Sequence, residues 1–227
     1  MRKWVLWGHQ FSEYQGMFDL PNYLSKKNIL ELACGPTLVN QELNHNSRIV
    51  SCDPWFSNDL ADIKQKFTDS FKQQVENISR YPERFDLNSY GGVDNLIAAR
   101  HNNMEKFFAD YALGWQEKRY QQLHVPNKLA FASASFDLAL CANFLFTDLP
   151  EQDIEFHIEF LKEMARVAHD VRIYPLTNYK AKPAKVLGPI LLALQQQGYQ
   201  VSIQDVSFRF VPESKAMLSI KSGRCDL

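Results

Sequence analysis

Residues 28–36 read Asn-Ile-Leu-Glu-Leu-Ala-Cys-Gly-Pro and predict the first strand of a sheet with the turn that follows it. Its first part, residues 28–32, is a short apolar run, and the pair Gly35-Pro36 ends it, as is typical of a buried strand followed by a tight turn. A second such run, residues 48–52, ends at Asp53-Pro54. Two short apolar runs ended by turn residues predict two strands of one sheet.

The rest of the chain alternates short β-like runs with helical periodicity, which is typical of α/β proteins. Further strands are predicted at residues 136–141, 171–174, 200–205 and 216–220. The final two are short and adjacent, which predicts an antiparallel pair. We therefore predict an α/β fold with a Rossmann-like sheet of seven strands, mostly parallel with the last strand antiparallel, and with helices on both faces.

The segment between the second strand and the run at 136–141 is unusually long. Apolar residues at helical spacing, from Leu60 to Ile78 and from Ile97 to Tyr111, predict two helices within it. We predict one domain over residues 1–227, with an N-terminal cap at about 1–27 and a mostly helical insertion at about 57–122. The cap and the insertion are expected to form a roof over a ligand, although the insertion could instead only cover hydrophobic surface.

Composition and charge exclude several kinds of protein. The 227 residues carry a formal net charge of -1 without a long run of one sign, which argues weakly against a nucleic-acid partner. No apolar run approaches the ~18 residues of a membrane span, and the apolar N-terminal stretch is too short for a secretory signal. We expect a cytoplasmic protein that binds neither nucleic acid nor membrane, and the oligomeric state stays open.

The cysteines and histidines give no metal-ligand spacing. The four cysteines, at positions 34, 52, 141 and 225, lack CxxC spacing. They are interpreted as reduced thiols of a cytoplasmic protein. Because the six histidines also lack a zinc-binding spacing, we predict no metal site.

The residues that end the first two strands suggest a cofactor site. Ligands of open α/β sheets bind beyond the carboxyl ends of the strands. A small residue such as Gly35 lets backbone N–H groups approach a ligand closely, and an acid at Asp53 can accept hydrogen bonds from the hydroxyls of a ribose. Together they indicate a cofactor that contains adenosine, although Gly35-Pro36 could also be a simple turn.

The glycine pattern after the first predicted strand argues against NAD as the adenosine cofactor. The NAD fingerprint needs three glycines in the pattern GxGxxG, whereas the segment after the first predicted strand has only Gly35, with Ala33 and Leu38 near the other places. The closing pair of strands also suits the methyltransferase version of the fold. An enzyme that uses NAD or a nucleotide sugar remains an alternative interpretation.

Residues 29–36, ILELACGP, resemble motif I of class I S-adenosylmethionine (SAM)-dependent methyltransferases. The chain also resembles a largely uncharacterised bacterial methyltransferase group over nearly its whole length. The matching segments are residues 14–18, 53–54, 114–120, 136–146, 156–157, 163–168, 171–176 and 208–220.

The resemblance implies SAM as the cofactor and methyl transfer to a small-molecule acceptor. The predicted cofactor-binding residues are Glu31, Ala33, Cys34, Gly35, Pro36, Asp53, Pro54 and Asn143. Tyr14 and Asn143 are predicted to contact the acceptor, and no catalytic residue is assigned.

Three departures from the group's pattern stand beside the resemblance. Ala33 replaces a usual glycine, and Ala142-Asn143 replaces a Ser-His pair. The acid that reads adenine is missing from the neighbourhood of residues 125–127. Ala33 and Asn143 keep an alternative open, a non-catalytic SAM-binding module with a regulatory or interaction role.

Overall fold

The computed structural model describes residues 7–22, 24–125, 128–147 and 153–221. Its helices are α1 (Phe11–Phe18), α2 (Val39–Leu43), α3 (Leu60–Arg80), α4 (Val93–Gln116), α5 (Ile154–Val167) and α6 (Leu187–Gln196). Its strands are β1 (Asn28–Leu32), β2 (Arg48–Asp53), β3 (Tyr120–Gln122), β4 (Phe136–Ala142), β5 (Ala168–Tyr174), β6 (Gln200–Asp205) and β7 (Ala216–Lys221). Cys225 and residues 126–127, on which the sequence analysis placed expectations, lie outside these ranges.

The strands form one seven-stranded sheet in the order β3-β2-β1-β4-β5-β7-β6. Neighbours from β3 to β5 pair in parallel, whereas β7 is antiparallel to both β5 and β6. The predicted fold class is therefore confirmed, including the antiparallel last strand. The order reverses direction between β1 and β4, which makes the gap beyond their carboxyl ends the topological switch point of the sheet.

Strand β3 lies inside the segment that was predicted to be mostly helical. It is hydrogen-bonded to the last three residues of β2, with Ser51 opposite Tyr120 and Asp53 opposite Gln122. The sequence Tyr-Gln-Gln gave no sign of it because three residues are too few to show an alternating pattern. The division of the chain into core, cap and insertion stays a proposal.

The alternating residues of β1 belong to two different layers of the core. Leu30 and Leu32 pack into the cluster that includes residues of α5 and α6. Ile29 points the other way, into the cluster formed with α1 and α2. This alternation follows from the two-residue period of a strand, and it places one layer of helices on each face of the sheet.

A third cluster joins the long helices α3 and α4 to the end of β2. Many of its buried members are aromatic, among them Phe56, Phe67 and Phe107, whose rings lie 5.7 to 6.5 Å apart between centroids. Trp7, from the segment before α1, belongs to the same cluster. None of the helices in the described ranges is long and apolar enough to cross a membrane.

A buried ion pair ties the N-terminal segment to α4. The Arg100 guanidinium donates to both carboxylate oxygens of Glu13 and, over 3.0 Å, to the carbonyl of Gly8. The Arg100 side chain is 2% exposed and that of Glu13 8%. Arg100 Nε is buried without a hydrogen-bond partner in the described part of the chain. The positive charge of the buried guanidinium is compensated by the Glu13 carboxylate.

We predict that Glu13→Ala lowers the free energy of unfolding by about 3–5 kcal/mol, because it leaves the buried Arg100 charge uncompensated. The matched control is Lys66→Ala, which breaks the exposed pair with Asp62 on α3 and should cost less than about 1 kcal/mol. Urea unfolding of the three proteins measures both values. Equal losses in the two variants would contradict the structural role of the buried pair.

Candidate functional site

The turn after β1 brings the predicted cofactor loop against Asp53. Ala33 and Gly35 both have left-handed backbone conformations, with φ of 53° and 63°, so the chain turns sharply beyond the strand. The Gly35 N–H donates to Oδ2 of Asp53, the last residue of β2, over 2.8 Å. The predicted residues of the two strands thus lie side by side beyond the carboxyl ends of the sheet.

The Asp53 carboxylate is fully buried and is held by backbone groups. Its Oδ1 accepts the N–H of Trp55 over 2.9 Å, across the intervening Pro54. A carboxylate offers about four lone-pair sites, so holding two backbone N–H groups is compatible with accepting further donors.

Trp7 covers the turn at Gly35. A Cβ atom at Gly35 would overlap the Trp7 ring, so the missing side chain makes room for the indole. Trp7 is 1% exposed, its Nε1 donates to Ser70 over 3.1 Å, and its ring centroid lies 6.3 Å from that of Trp55. The indole therefore lies between the residues that follow β1 and those that follow β2.

Glu31 lies inside the protein, on the α1 face of β1. Its carboxylate accepts the hydroxyls of Ser51, its neighbour across the sheet, and of Thr37. Burial raises the pKa of Glu31 to about 7, although hydrogen bonds from these hydroxyls and from Tyr14 oppose the rise. Glu31 is therefore a buried carboxyl that changes protonation near neutral pH.

Tyr14 is 1% exposed and its hydroxyl bonds to Glu31. Its ring lies 5.3 Å from that of Phe18 and 6.3 Å from that of His9. Burial, followed by the charge of Glu31, raises the pKa of Tyr14 well above its ordinary value. Contact between Tyr14 and an acceptor stays a prediction, because here the hydroxyl points to Glu31.

Asn143 follows β4 and lies at the switch point. Its backbone is left-handed, with φ of 54°, and its N–H donates to the carbonyl of Tyr174 over 2.7 Å. Its side-chain Nδ2 lies 3.5 Å from Nε2 of His9.

His9 is the residue of this site that the sequence analysis did not find. It is 4% exposed, its Nδ1 lies 3.2 Å from Oε2 of Glu13, and its carbonyl accepts the N–H of Leu38 over 2.8 Å. The separation of His9 and Glu13 by four residues was the signal in the sequence, because side chains at this spacing can meet on one face of a helix.

Two adjoining cavities of about 40 and 30 Å³ open beside Asn143. The residues that line both are Asn143, Pro175, Val211 and Ser214. The inner cavity, of about 30 Å³, is also lined by His9, Phe208 and Phe210. The outer cavity, of about 40 Å³, extends to Thr177 and the exposed Tyr179. Each cavity has room for a few water molecules, and the two together have room for about five.

Cys34, Cys52 and Cys141 are free thiols in the interior. Burial raises the pKa of Cys52 well above its ordinary value, and the charges of Glu31 and Asp53 add to the rise. Within the described ranges, no group of three or more histidine, cysteine, aspartate or glutamate side chains is arranged to hold a metal ion. His157 is buried, with both ring nitrogens next to backbone carbonyls, as a packed structural histidine would be.

No protein-family model matches the chain. The chain is 26% identical over 219 residues to an uncharacterized protein from Methanocaldococcus jannaschii, an alignment that covers 96% of each chain. The resemblance seen in the sequence pointed to a bacterial group, whereas this relative is archaeal.

Several solved structures align with most of the chain at low sequence identity. A SAM-dependent methyltransferase from Aquifex aeolicus aligns at a TM-score of 0.41 and 14% identity, over 92% of this chain and 90% of that one. A TehB-like SAM-dependent methyltransferase from Corynebacterium glutamicum aligns at 0.43 and 12%, over 89% and 83%. Phosphoethanolamine N-methyltransferase 1 of Haemonchus contortus, in complex with phosphoethanolamine and S-adenosylhomocysteine, aligns at 0.48 and 13%, over 92% of this chain and 41% of that one.

The strand order and the antiparallel β7 identify the fold. The chain has a Rossmann-like fold, in which β7 is the antiparallel strand of an otherwise mostly parallel seven-stranded sheet. The fold does not decide the activity, which is a separate question that the site residues must answer.

We predict that Gly35→Ala destabilises the protein by about 2–4 kcal/mol. The new methyl group overlaps the Trp7 ring, and the alanine backbone must keep the left-handed conformation of Gly35. In a Trp7→Ala background the same change should cost only the conformational part, about 1–2 kcal/mol. A double-mutant cycle from urea unfolding measures the difference. Additive losses would show that Trp7 does not rest on Gly35 in solution.

We predict that Glu31 makes the protein less stable as the pH rises from 4.5 to 7. The pKa of Glu31 is raised to about 7 in the folded state, so in this window the unfolded chain loses a proton that the folded one keeps. The loss is about 1.4 kcal/mol per pH unit, fully developed above pH 7.

Glu31→Gln should abolish this component of the pH dependence. The buried His9, whose pKa is lowered, gives the opposite slope below its ordinary value of 6.5, but that contribution is common to both proteins and cancels in their difference. Urea unfolding at intervals between pH 4.5 and 8 gives the difference curve. A curve without slope would contradict the raised pKa.

Proposed function

We propose that the chain is a SAM-dependent methyltransferase that transfers a methyl group to a small-molecule acceptor. The observation that carries this proposal is the 2.8 Å hydrogen bond between Gly35 and Asp53, beyond the carboxyl ends of the adjacent strands β1 and β2. It sets a closely approachable backbone turn beside an acid, which are the two elements that an adenosine cofactor uses in open α/β sheets.

The residues of the site fit SAM in chemical type. Asp53 is the acceptor for ribose hydroxyls, and the absence of a side chain at Gly35 leaves a flat backbone face. Trp7 lies on that face, so we expect the indole to move aside when the cofactor binds. The proposed cofactor set is Glu31, Ala33, Cys34, Gly35, Pro36, Asp53, Pro54 and Asn143.

SAM supplies an electrophilic methyl group on a positively charged sulfur. What the chain must add is an acceptor held in line with that group and the exclusion of water. The aromatic cluster of Phe56, Phe67 and Phe107 supports exclusion of water because it packs in one core with Cys34 of the cofactor loop and with Trp7. The small cavities beside Asn143 suit a small acceptor better than a strand of nucleic acid.

We predict that S-adenosylhomocysteine at one hundred times its dissociation constant stabilises the protein by about 2.7 kcal/mol. Asp53→Ala should weaken its binding by about 1.5–3 kcal/mol, the range for hydrogen bonds to a charged group. Thermal shift and calorimetry measure these effects, with Asp69→Ala on the exposed face of α3 as the control.

Two other outcomes have definite meanings. No response to SAM or S-adenosylhomocysteine together with a clear response to NAD would overturn the proposal. Binding of S-adenosylhomocysteine without turnover of SAM on any acceptor would instead support the non-catalytic SAM-binding module. Mass spectrometry of the molecules that co-purify with the protein is an independent check on the cofactor.

A further inference from the structure

His9 and Glu13 form a hydrogen-bonded dyad beside the inner cavity. A carboxylate only accepts hydrogen bonds, so the contact of 3.2 Å places a proton on Nδ1 of His9 and leaves a lone pair on Nε2. Arg100 holds the Glu13 carboxylate through two hydrogen bonds. The chain Arg100–Glu13–His9 therefore fixes both the tautomer and the orientation of the imidazole.

The dyad lies at the switch point of the sheet. The His9 carbonyl is bonded to Leu38, which follows the cofactor loop, and its Nε2 faces the Asn143 side chain over 3.5 Å. His9 also lines the inner cavity. The lone pair on Nε2 is thus next to a cavity beyond the carboxyl ends of β4 and β5, at the edge of the sheet where ligands of open α/β sheets bind.

The surroundings keep the imidazole neutral. Burial, followed by the charge of Arg100, lowers the pKa of His9, and the charge of Glu13 opposes the change. Two further titratable groups of the described chain face the His9 ring. They are Tyr14 on α1, whose ring is next to it, and Tyr174 on β5, which lines the inner cavity together with His9. A neutral imidazole at neutral pH is a competent proton acceptor.

We propose that the two adjoining cavities beside Asn143 together bind the methyl acceptor and that His9 removes the acceptor's proton through Nε2. The acceptor is a small planar molecule with a phenol-like hydroxyl group. The inference rests on the proposed function and names the acceptor class for the same site.

The cavity lining favours this acceptor class. Tyr174, Phe208 and Phe210 present aromatic rings, whereas Asn143 and Ser214 supply a few polar groups. Aromatic walls suit a flat ring, and convergent polar groups orient it. A phenol also releases its proton to an imidazole far more readily than an aliphatic alcohol does, because a phenol, with a pKa of about 10, is the much stronger acid.

The proposed step balances in atoms and charge. The phenol oxygen forms its bond to the methyl carbon, and its proton passes to His9 Nε2. The electron pair of the broken carbon–sulfur bond stays on sulfur, which neutralises the sulfonium. His9 then returns its proton to solvent, while Glu13 remains ionised and acts as a positioning residue.

The test uses a panel of simple phenols, with 4-nitrophenol as the member whose ionised form absorbs visible light. In the presence of S-adenosylhomocysteine, 4-nitrophenol should bind to the wild type as the phenolate, and the His9 signals in the NMR spectrum of histidine-labelled protein should shift to those of the imidazolium. His9→Gln identifies these signals by their absence. His45→Gln, which alters an exposed histidine, is the matched control.

Turnover gives the second measurement. With SAM and the best phenol of the panel, His9→Gln should lower kcat by about 10²–10⁴-fold, the usual contribution of a general base. It should also remove the acidic limb of the pH profile and leave the affinity for S-adenosylhomocysteine within a few-fold. His45→Gln should match the wild type in all three respects.

Each failure has a separate meaning. Absence of S-adenosylhomocysteine binding to the wild type refutes the proposed function. If that ligand binds but no phenol does, or if bound 4-nitrophenol ionises equally in His9→Gln, the assignment of His9 is overturned. The NMR measurement on the wild type decides the matter even if His9→Gln folds poorly, because unshifted His9 signals in the presence of the bound phenol also overturn it.

Discussion

The ion pair of Glu13 with Arg100 is the interaction on which the arrangement of the site depends. It joins the N-terminal segment to α4 in a buried place, where an unpaired charge would be strongly destabilising. Because Glu13 is bonded to His9 and Arg100 to the Gly8 carbonyl, the pair also fixes the residues that cross the cofactor loop. Helix α4 thus supports the loop after β1 without belonging to the sheet.

Local patterns in the sequence were enough to predict most of the fold. Short apolar runs ended by turn residues marked six strands, and the structure has all of them, with β5 beginning three residues earlier than predicted at Ala168. Strand β3 is absent from the prediction because its three residues have no pattern of their own and are ordered by pairing with β2. The rule for carboxyl ends likewise led to the expectation that Gly35 and Asp53 would be neighbours, and a hydrogen bond joins them.

The positions of Trp7 and His9 could not be read from the same patterns. Trp7 reaches Ser70 across sixty-three positions of the chain, and His9 reaches Asn143 across one hundred and thirty-four. Such contacts are set by tertiary packing rather than by a local period. The orientation of Tyr14 is a similar case, since its hydroxyl is drawn to the buried Glu31 carboxyl.

Because the Trp7 indole lies on Gly35, the affinity for a ligand depends on the equilibrium between molecules in which the indole covers the loop and molecules in which it is displaced. If only molecules with Trp7 displaced can bind, the measured dissociation constant is the intrinsic one divided by the fraction of such molecules. Every 1.4 kcal/mol that favours the covered state weakens binding about tenfold. Residues that never touch the ligand, such as Ser70, which accepts the hydrogen bond of the indole, then influence the apparent affinity for the ligand. Substitutions in the N-terminal segment can therefore change the strength of binding without altering the cofactor contacts.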